Sequence, residues 1–332
     1  MTTCLKKCSR LLWDPRLDWY CLNDLFLAGK PFFVSLTSSR EFFNFQRWVR
    51  IFPTFFGGSE MKPSGIITLS TDFGLTDPYV AMMKGVILSI NPEVRLIDIT
   101  HQIKAGSILQ AAGIIRETVF YFPKGTVHLV VVDPGVGGPR RLMGLEAGDH
   151  LFVGPDNGIF WPLIQKFKDT KAIHLTESRY FLSNIKKTFH GREIFSPVAA
   201  HLSLGVALEE IGTTLVDPIK LELPEPREKE GILYGQIIRV DNFGNLITNI
   251  SAKVLNQFLK KAAPLIQVGN LAINELSHVY SDAAEGEPLA LINSSDWLEV
   301  AVNLGRASEY AGLDSGEAVG TPMKVSRSEG TL

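Results

Sequence analysis

The stretch VVVDPGVGGPRR, from Val130 to Arg141, decides the fold of this 332-residue chain. It continues an apolar run, residues 129–132, of the kind that forms a strand buried on both faces of a parallel sheet. Asp133 follows at the carboxyl end of that strand, the edge at which open α/β sheets bind ligands, and the glycines after it allow a tight turn. Arg140 can face Asp133 across this turn, and each would keep the other charged. Taken alone, Asp-Pro-Gly could equally be an ordinary turn with Arg140 solvated.

Composition and charge exclude several broad classes of protein. With 45% hydrophobic residues and a net charge of -2 at pH 7, the chain is neither disordered nor attracted to nucleic acid by its charge. No apolar run reaches the roughly 18 residues of a membrane-spanning helix. The length accommodates two domains, and the composition is that of an ordinary globular protein.

Residues 1–60 differ in composition from the rest of the chain. They contain three of the five tryptophans, nine of the twenty phenylalanines and all three cysteines, Cys4, Cys8 and Cys21. Neither a signal peptide nor a transit peptide matches this pattern. We therefore expect residues 1–60 to be an N-terminal extension, with Met61 as the physiological start. The absence of cysteine after it favours a reducing cytoplasm and excludes thiol chemistry there.

After residue 65, strand and helix patterns alternate. Strands are predicted over residues 66–70, 94–99 and 127–132, and helices are predicted to begin at Asp77-Pro78 and at Ser107. This order predicts a parallel, right-handed βαβ sheet. The apolar face expected for the first helix consists of Tyr79, Met83, Val86 and Ile90.

A change in composition predicts a domain boundary after residue 218. We expect an α/β domain over residues 61–218, a linker over residues 219–231 that is rich in proline and charge, and a β domain over residues 232–332. Strands in the last region are predicted on both sides of Asn242–Asn245 and of Ser294–Asp296. The fold class is thus α/β, with a mostly parallel sheet followed by a smaller barrel or sandwich.

The candidate functional groups are polar residues in turns. No phosphate-binding loop, dinucleotide fingerprint, nucleophile elbow or zinc-protease motif occurs. The turns of the α/β domain carry Asp72, Asp133, Arg140, Asp156 and His190, and those of the β domain carry Asp241, Asn245 and Ser294. Such a set could ligate a metal in a phosphoesterase. It could equally bind a nucleoside, with a carboxylate on the ribose and Phe243 stacked on the base.

Six sequence blocks resemble a known family. They are TDFGLTDPYVAMMKG, VVDPGVG, GPDNG, FHGREIFSP, DNFGNLITNI and NSSDWLEVAVNLG, which follow one another from Thr71 to Gly305. Together they closely resemble the S-adenosyl-L-methionine (SAM) hydroxide adenosyltransferases, which are adenosine-forming SAM hydrolases related to fluorinases and chlorinases. The resemblance extends from about Gly65 to the end of the chain, and residues 1–60 have no counterpart in it.

The resemblance implies a role for individual residues. It places the family's catalytic triad on Asp133, Arg140 and His190. It also implies that Asp72 holds the ribose hydroxyls, and that residues of the β domain contact the adenine and methionine parts. These residues are Asp241, Phe243, Asn245 and Ser294, with Glu299 and Val302 as weaker matches.

The implied reaction is attack of water on the ribose C5′ of SAM, with methionine as leaving group. We expect the Asp133 carboxylate to orient the water and His190, whose ordinary pKa lies nearer 7, to accept its proton. The resemblance further implies a homotrimer with the pocket between neighbouring chains, no metal and no cofactor. Nucleic acid and membrane are not expected as partners.

Three rivals to hydrolysis remain after the resemblance. One is transfer of a halide such as chloride, against which the Asp and His of the implied triad and the short segment between Gly137 and Gly148 both argue. The second is a non-catalytic SAM or adenosine sensor, which would have no need of groups that activate water. The metal phosphoesterase would require Asp72, Asp133 and His190 to converge on one ion.

Overall fold

The computed structural model describes residues 61–313 and 318–328. The predicted N-terminal extension, residues 1–60, lies outside the described residues. Within them, residues 66–214 supply one sheet and residues 227–327 supply a second. No helix in the described part of the chain is long and apolar enough to cross a membrane.

The first sheet has seven strands in the spatial order β2-β1-β3-β5-β4-β6-β7. Strands β2, β1, β3 and β5 pair in parallel, while β4, β6 and β7 join by antiparallel pairing. The predicted mostly parallel sheet is therefore confirmed. The strands are β1 (Ile66–Thr71), β2 (Arg95–Thr100), β3 (Val127–Val131), β4 (Leu142–Ala147), β5 (His150–Pro155), β6 (Lys171–Leu175) and β7 (Gly212–Thr214).

Helices cover both faces of this sheet, because its central strands are apolar on both sides. On one face, α1 and α4 pack against β1 and β3, and on the other face α2 and α3 pack against β4 and β5. The helices are α1 (Tyr79–Ile90), α2 (Ile108–Thr118), α3 (Trp161–Lys166) and α4 (Ser196–Ser203), the last preceded by a π-helical turn (Gly191–Phe195).

The helix starts agree with the sequence at one position and differ at another. Ser107 caps α2, and its side chain accepts a hydrogen bond from the backbone N–H of Gln110 at 3.4 Å. Helix α1 begins only at Tyr79, one residue after Pro78, and no side chain caps it. Its buried face also differs from the expected one, because Tyr79 is partly exposed and the buried residues are Val80, Met83 and Ile87.

The second sheet is a nearly closed antiparallel barrel. A barrel was one of the two forms expected from the sequence, the other being a sandwich. Its path is β12-β11-β15-β9-β10-β14-β13, with β8 paired to β9 outside that path. The strands are β8 (Arg227–Lys229), β9 (Ile232–Val240), β10 (Leu246–Ser251), β11 (Pro264–Val268), β12 (Leu271–Ile273), β13 (Pro288–Ile292), β14 (Trp297–Val302) and β15 (Pro322–Arg327); the helices are α5 (Ala252–Leu259) and α6 (Ala307–Tyr310). Both predicted turns, Asn242–Asn245 and Ser294–Asp296, lie between paired strands, the first between β9 and β10 and the second between β13 and β14.

A pair of histidines lies buried at the opposite end of the parallel strands from Asp133. His128 Nδ1 lies 2.7 Å from Thr68 Oγ1, and His128 Nε2 lies 3.2 Å from His150 Nδ1. Burial and, to a smaller extent, the neighbouring His150 lower the pKa of His128 from 6.5 to about 3. Burial lowers the pKa of His150 as well. Both side chains are therefore neutral in the folded protein near neutral pH.

We predict that acid destabilises the fold through this pair. The unfolded chain protonates its histidines near pH 6.5, whereas folded His128 stays neutral until about pH 3. Stability is therefore complete above pH 6.5 and falls on acidification between these values, with a slope of up to roughly 1.4 kcal/mol per pH unit for one proton. Urea unfolding at several pH values measures the slope. His128→Asn should flatten it and His174→Asn, on β6, should not; an equal slope in both variants would contradict the prediction.

Candidate active site

The turn after β3 is shaped by two glycines that leave no room for a side chain. A Cβ on Gly135 would lie 3.3 Å from Arg140 Cγ, so the turn folds directly over the arginine. Gly137 has φ +76, and a Cβ there would lie 2.5 Å from the carbonyl oxygen of Lys187. The turn therefore packs directly against the segment that leads to His190.

Arg140 and Asp133 form the ion pair that the sequence suggested. Arg140 Nε donates to Asp133 Oδ1 at 2.9 Å and to Oδ2 at 3.0 Å, and Arg140 Nη2 donates to Oδ2 as well. Only 9% of the arginine side chain and 5% of the aspartate side chain are exposed. Because this ion pair is nearly buried, Arg140 is not solvated as in the alternative interpretation. The pair fixes the Asp133 carboxylate at the edge of the sheet where the parallel strands end.

His190 completes the cluster through the same guanidinium. Arg140 Nη2 lies 2.8 Å from His190 Nδ1. A guanidinium only donates, so Nδ1 accepts, and the proton of neutral His190 sits on Nε2. Burial lowers the pKa of His190 and the charge of Arg140 lowers it further. In this tautomer neither ring nitrogen has a free lone pair, so the arrangement does not favour His190 as a proton acceptor.

Backbone contacts around a buried glutamate hold the loop that carries His190. Both carboxylate oxygens of Glu193 are used, one by the backbone N–H of Lys186 and the other by Arg192. The backbone N–H of Leu182 donates to the Glu193 carbonyl at 2.9 Å. The π-helical turn begins directly after His190, and such turns often occur at functional sites. The loop is thus tied down on both sides of the histidine.

Asp72 lies on the neighbouring turn, after β1. Its Oδ2 accepts a hydrogen bond from the backbone N–H of Gly106 at 2.8 Å. A Cβ on Gly106 would lie 3.7 Å from Pro134 Cβ, so the loop that holds Asp72 also touches the turn of Asp133. The structure therefore places Asp72 at the same edge of the sheet as the Asp133–Arg140–His190 cluster.

Three aromatic rings connect these turns. Phe73, next to Asp72, lies with its ring centroid 5.7 Å from that of Phe189, next to His190. Tyr79 contacts both rings, at 5.8 Å and 5.3 Å. Their edge-to-face and tilted arrangements are favourable ones for aromatic pairs. The cluster gives the edge an apolar wall. Because Tyr79 packs against these two rings and stays partly exposed, it is not part of the buried face of α1.

His101 is a site residue that the sequence analysis missed. Its Nδ1 lies 2.8 Å from Thr71 Oγ1, and its carbonyl accepts from the N–H of Gly74 at 2.8 Å. Its Nε2 lies 3.1 Å from an Asp98 carboxylate oxygen. His101 thereby ties the loop after β2 to the turn that carries Asp72. The sequence could have indicated it only by its position just after the strand predicted over residues 94–99.

The second arginine of the turn has a separate, structural role. Arg141 donates to the buried Asp156 at 2.8 Å and to the exposed Asp217 at 2.6 Å. Asp156 also accepts from the backbone N–H of Ile219 at 2.8 Å. Asp156, one of the polar turn residues of the sequence analysis, thus anchors the end of the α/β domain. It does not join the Asp133 cluster.

The β-domain candidates form a second group. Asp241 accepts hydrogen bonds from the backbone N–H groups of Phe243 and Asn245, each at 2.9 Å, and from the Asn245 side chain at 3.1 Å. Phe243 is 72% exposed, whereas Asn245 is buried. A large ring held out to solvent beside an ordered amide is the kind of surface on which a flat, polar base can stack. Val302 lines the same cavity as Phe243 and Asn245, so it joins this group.

Glu299 organises the adjacent cavity. Tyr280 Oη donates to Glu299 Oε1 at 2.8 Å, and Asn293 Nδ2 donates to Oε2 at 3.1 Å. Burial and the glutamate raise the pKa of Tyr280 to about 12, so its hydroxyl stays protonated. Ser294 and Asp241 line this cavity with them. Tyr280 is another site residue that the sequence analysis missed.

The predicted site residues therefore fall into two separate groups. Asp72, Asp133, Arg140 and His190 share the edge of the α/β sheet, and the remaining candidates share two cavities of the barrel, lined only by residues 239–306. No residue of the first group lines either cavity. Across the described residues, no three His, Cys, Asp or Glu side chains are grouped so as to hold a metal ion.

We predict that Arg140 sets the protonation of His190. Nitrogen-15 NMR of the imidazole at pH 7.5 should show the Nε2–H tautomer, because Nδ1 accepts from Arg140. Arg140→Leu removes the positive charge while Asp133 remains, so the pKa of His190 should rise. Arg141→Gln, which removes the neighbouring arginine of the same turn, should change that pKa much less. A shift of similar size in both variants would contradict the assignment.

Comparisons with known proteins agree with this geometry. Residues 67–212 match the SAM hydroxide adenosyltransferase N-terminal domain, and residues 235–320 match the C-terminal domain of that family. An (R)-S-adenosyl-L-methionine hydrolase of Salinispora tropica is 36% identical over 264 residues, which are 77% of this chain and 97% of that protein. A fluorinase of an Actinoplanes species is 28% identical over 286 residues, which are 76% of this chain and 96% of the fluorinase.

A solved structure gives the same result for the fold. An uncharacterised conserved protein from Thermotoga maritima superposes with a TM-score of 0.73 at 33% identity, covering 79% of this chain and 100% of that one. Both family domains match in the expected order, and each contains one of the two groups of site residues. The chain therefore belongs to the SAM hydroxide adenosyltransferase family.

Proposed function

We propose that this protein hydrolyses SAM to adenosine and methionine. The observation that carries the proposal is the contact of Asp133, Arg140 and His190 around one guanidinium at the ligand-binding edge of the sheet. The names of relatives that are 33–36% identical support the same reaction.

The reaction needs no reactant besides SAM and water. As the oxygen of water bonds to C5′ of the ribose, the C5′–S bond breaks and its electron pair goes to the sulfonium sulfur. Methionine leaves as a neutral thioether, so no general acid is needed. One proton is lost from the attacking water, and positioning plus removal of this proton is what the protein must supply.

The hydrogen bonds favour Asp133 as the group that receives this proton. A carboxylate has about four acceptor positions, and the contacts with Arg140 occupy no more than three of them. Arg140 has no acceptor, and His190 accepts from Arg140 at Nδ1 and carries a proton at Nε2. We assign His190 to hold the water by donating from Nε2, and Arg140 to fix the other two groups.

The remaining candidates would bind the rest of SAM. We assign the ribose hydroxyls to Asp72, whose Oδ2 accepts from Gly106 and whose Oδ1 has no hydrogen-bond donor among the described residues. Phe243, Asn245 and Val302 would contact the adenine, and Asp241, Ser294 and Glu299 the methionine part. The exposed ring of Phe243 and the cavity beside Glu299 supply suitable surfaces.

We further propose a homotrimer in which each site is completed by the next chain. The support is that the two groups of site residues lie in different domains and share no cavity, while a reaction at C5′ needs both around one SAM molecule. Burial of SAM between chains would also exclude bulk water. We propose that the reaction needs no metal or cofactor and takes place in the cytoplasm, where SAM is available.

The first test is product analysis after incubation of the purified full chain with SAM. Adenosine and methionine should form in equal amounts, with or without chelator and with or without chloride. Formation of 5′-chloro-5′-deoxyadenosine would favour halide transfer, and loss of activity with chelator that a divalent ion restores would favour a metal enzyme. Tight SAM binding without turnover would identify a sensor.

Variants of His190 separate its two possible roles in the same assay. His190→Ala should lower kcat by roughly 10²-fold or more, with little effect on SAM binding. His190→Gln keeps an N–H donor near the position of Nε2, so it should retain more activity than the alanine variant. Asp133→Asn should lose the proton acceptor and be the least active of the three. Equal loss in both His190 variants would restore His190 as the base.

Mixed oligomers test the shared site. Asp133→Asn impairs the α/β half and Asn245→Ala the barrel half, so each alone should be nearly inactive. Co-assembled in equal amounts, about a quarter of the sites should combine two intact halves and regain activity, because each half is chosen from two kinds of chain. Asp133→Asn mixed with His190→Ala is the control and should regain none. Absence of recovery in the first mixture would place both halves of a site in one chain.

A further inference from the structure

A separate cavity lies between the two domains of the chain. It has a volume of about 420 Å³ and lies between α2, α3, the segment 223–226 and strands β9, β10 and β14. We call it the interdomain cavity. None of the residues assigned to SAM lines it. Its size is within the range of small-molecule sites, which often occur between domains.

The walls of the interdomain cavity are mainly apolar. Leu109 and Pro162 line it from the α/β domain, and Ile238 and Val254 line it from the barrel. Segment 223–226 forms another wall and is fixed by a hydrogen bond of 2.7 Å from Asn249 Nδ2 to the carbonyl of Pro224. A ligand here would therefore need an apolar body.

One charged group in the cavity lacks an ionic partner. The guanidinium of Arg116 lies 4.5 Å from the ring centroid of Trp297, and none of the described carboxylates lies within ion-pair distance of it. The adjacent Glu117 is already engaged, because it accepts from Arg239 at 2.9 Å across the domain boundary. Burial lowers the pKa of Arg116, and the charge of the adjacent Glu117, which acts in the opposite direction, offsets this only in part.

The surroundings of Arg116 favour a negative ligand. Lys166 lies beside it in an adjoining cavity, with Nζ 3.7 Å from the ring centroid of Phe120. The other acidic residue of the interdomain cavity, Glu225, is exposed, so water screens its charge. The half-buried Arg116 is screened less, and a guanidinium stacked on an aromatic ring retains N–H donors in its plane for an anion.

We propose that the interdomain cavity binds a small organic anion with an aromatic or aliphatic body, whose anionic group pairs with Arg116. The apolar walls and the face of Trp297 contact the body of the ligand. This site is distinct from the SAM site and does not depend on the hydrolase function.

Naphthoate and its neutral amide, naphthamide, are matched probes for the full-length protein. Calorimetric titration should show one naphthoate per chain, bound at least about tenfold more tightly than naphthamide, as expected for a charge-assisted pair. Arg116→Gln should abolish the difference, and Arg95→Gln, at an exposed arginine of β2, should keep it. Saturating SAM should not displace naphthoate.

A second variant tests the place of binding without removing a charge. Gly113 lines the interdomain cavity, and a Cβ there would meet no atom within 4 Å, so Gly113→Leu fills the space without a clash at Cβ. It should abolish naphthoate binding with no loss of thermal stability. Gly85→Leu, at an equally open glycine of α1, is the control and should leave binding intact.

The proposal is overturned by any of three results. These are absence of saturable naphthoate binding, equal affinity for naphthoate and naphthamide in the unaltered protein, or displacement of naphthoate by SAM. Unchanged binding in both Arg116→Gln and Gly113→Leu would equally overturn it, because the probe would then bind elsewhere.

Discussion

The site depends on one guanidinium that serves two partners. Arg140 holds the Asp133 carboxylate through two nitrogens and presents one of them to His190 Nδ1 as well. Because Arg140 can only donate, it fixes which nitrogen of His190 carries the proton and leaves the carboxylate as the acceptor of the cluster. The tight packing of Gly135 and Gly137 brings these groups together. Loss of the Arg140 guanidinium would remove a positive charge from the cluster. It would also release the His190 tautomer and the position of the Asp133 carboxylate.

The site that we propose for SAM takes groups from both domains, which line no common cavity among the described residues. The sheet edge offers the Asp133 cluster and Asp72, to which we assign the ribose, while the barrel offers Phe243, Asn245 and the pocket organised by Glu299. A substrate as large as SAM has a ring system and an amino-acid end on either side of the reacting carbon. We infer that, because the surfaces that bind SAM lie apart, a site that excludes bulk water is assembled only when the substrate is bound.

Much of this organisation could be predicted from the sequence. The order of strands and helices and the two barrel hairpins followed from apolar periodicity and turn residues, and proximity of Asp133 and Arg140 followed from the short glycine-rich turn. The start of α1 was misjudged because Asp77-Pro78 is a common helix start, whereas the chain there turns to bring Tyr79 to Phe189. The tautomer of His190 and the roles of His101 and Tyr280 depend on contacts between residues distant in sequence, which no local pattern shows.

The ion pair between Glu117 and Arg239 joins the two domains of a chain, and the bond from Asn249 to the Pro224 carbonyl fixes the linker to the barrel. If the next chain completes each site, the angle at which these contacts hold the two domains of one chain determines the rotation from that chain to its neighbour. A head-to-tail contact closes into a ring only when that rotation divides a full circle evenly. The number of subunits is then set by a few contacts far from the catalytic carbon, and a small change in the domain angle would open the ring into a filament.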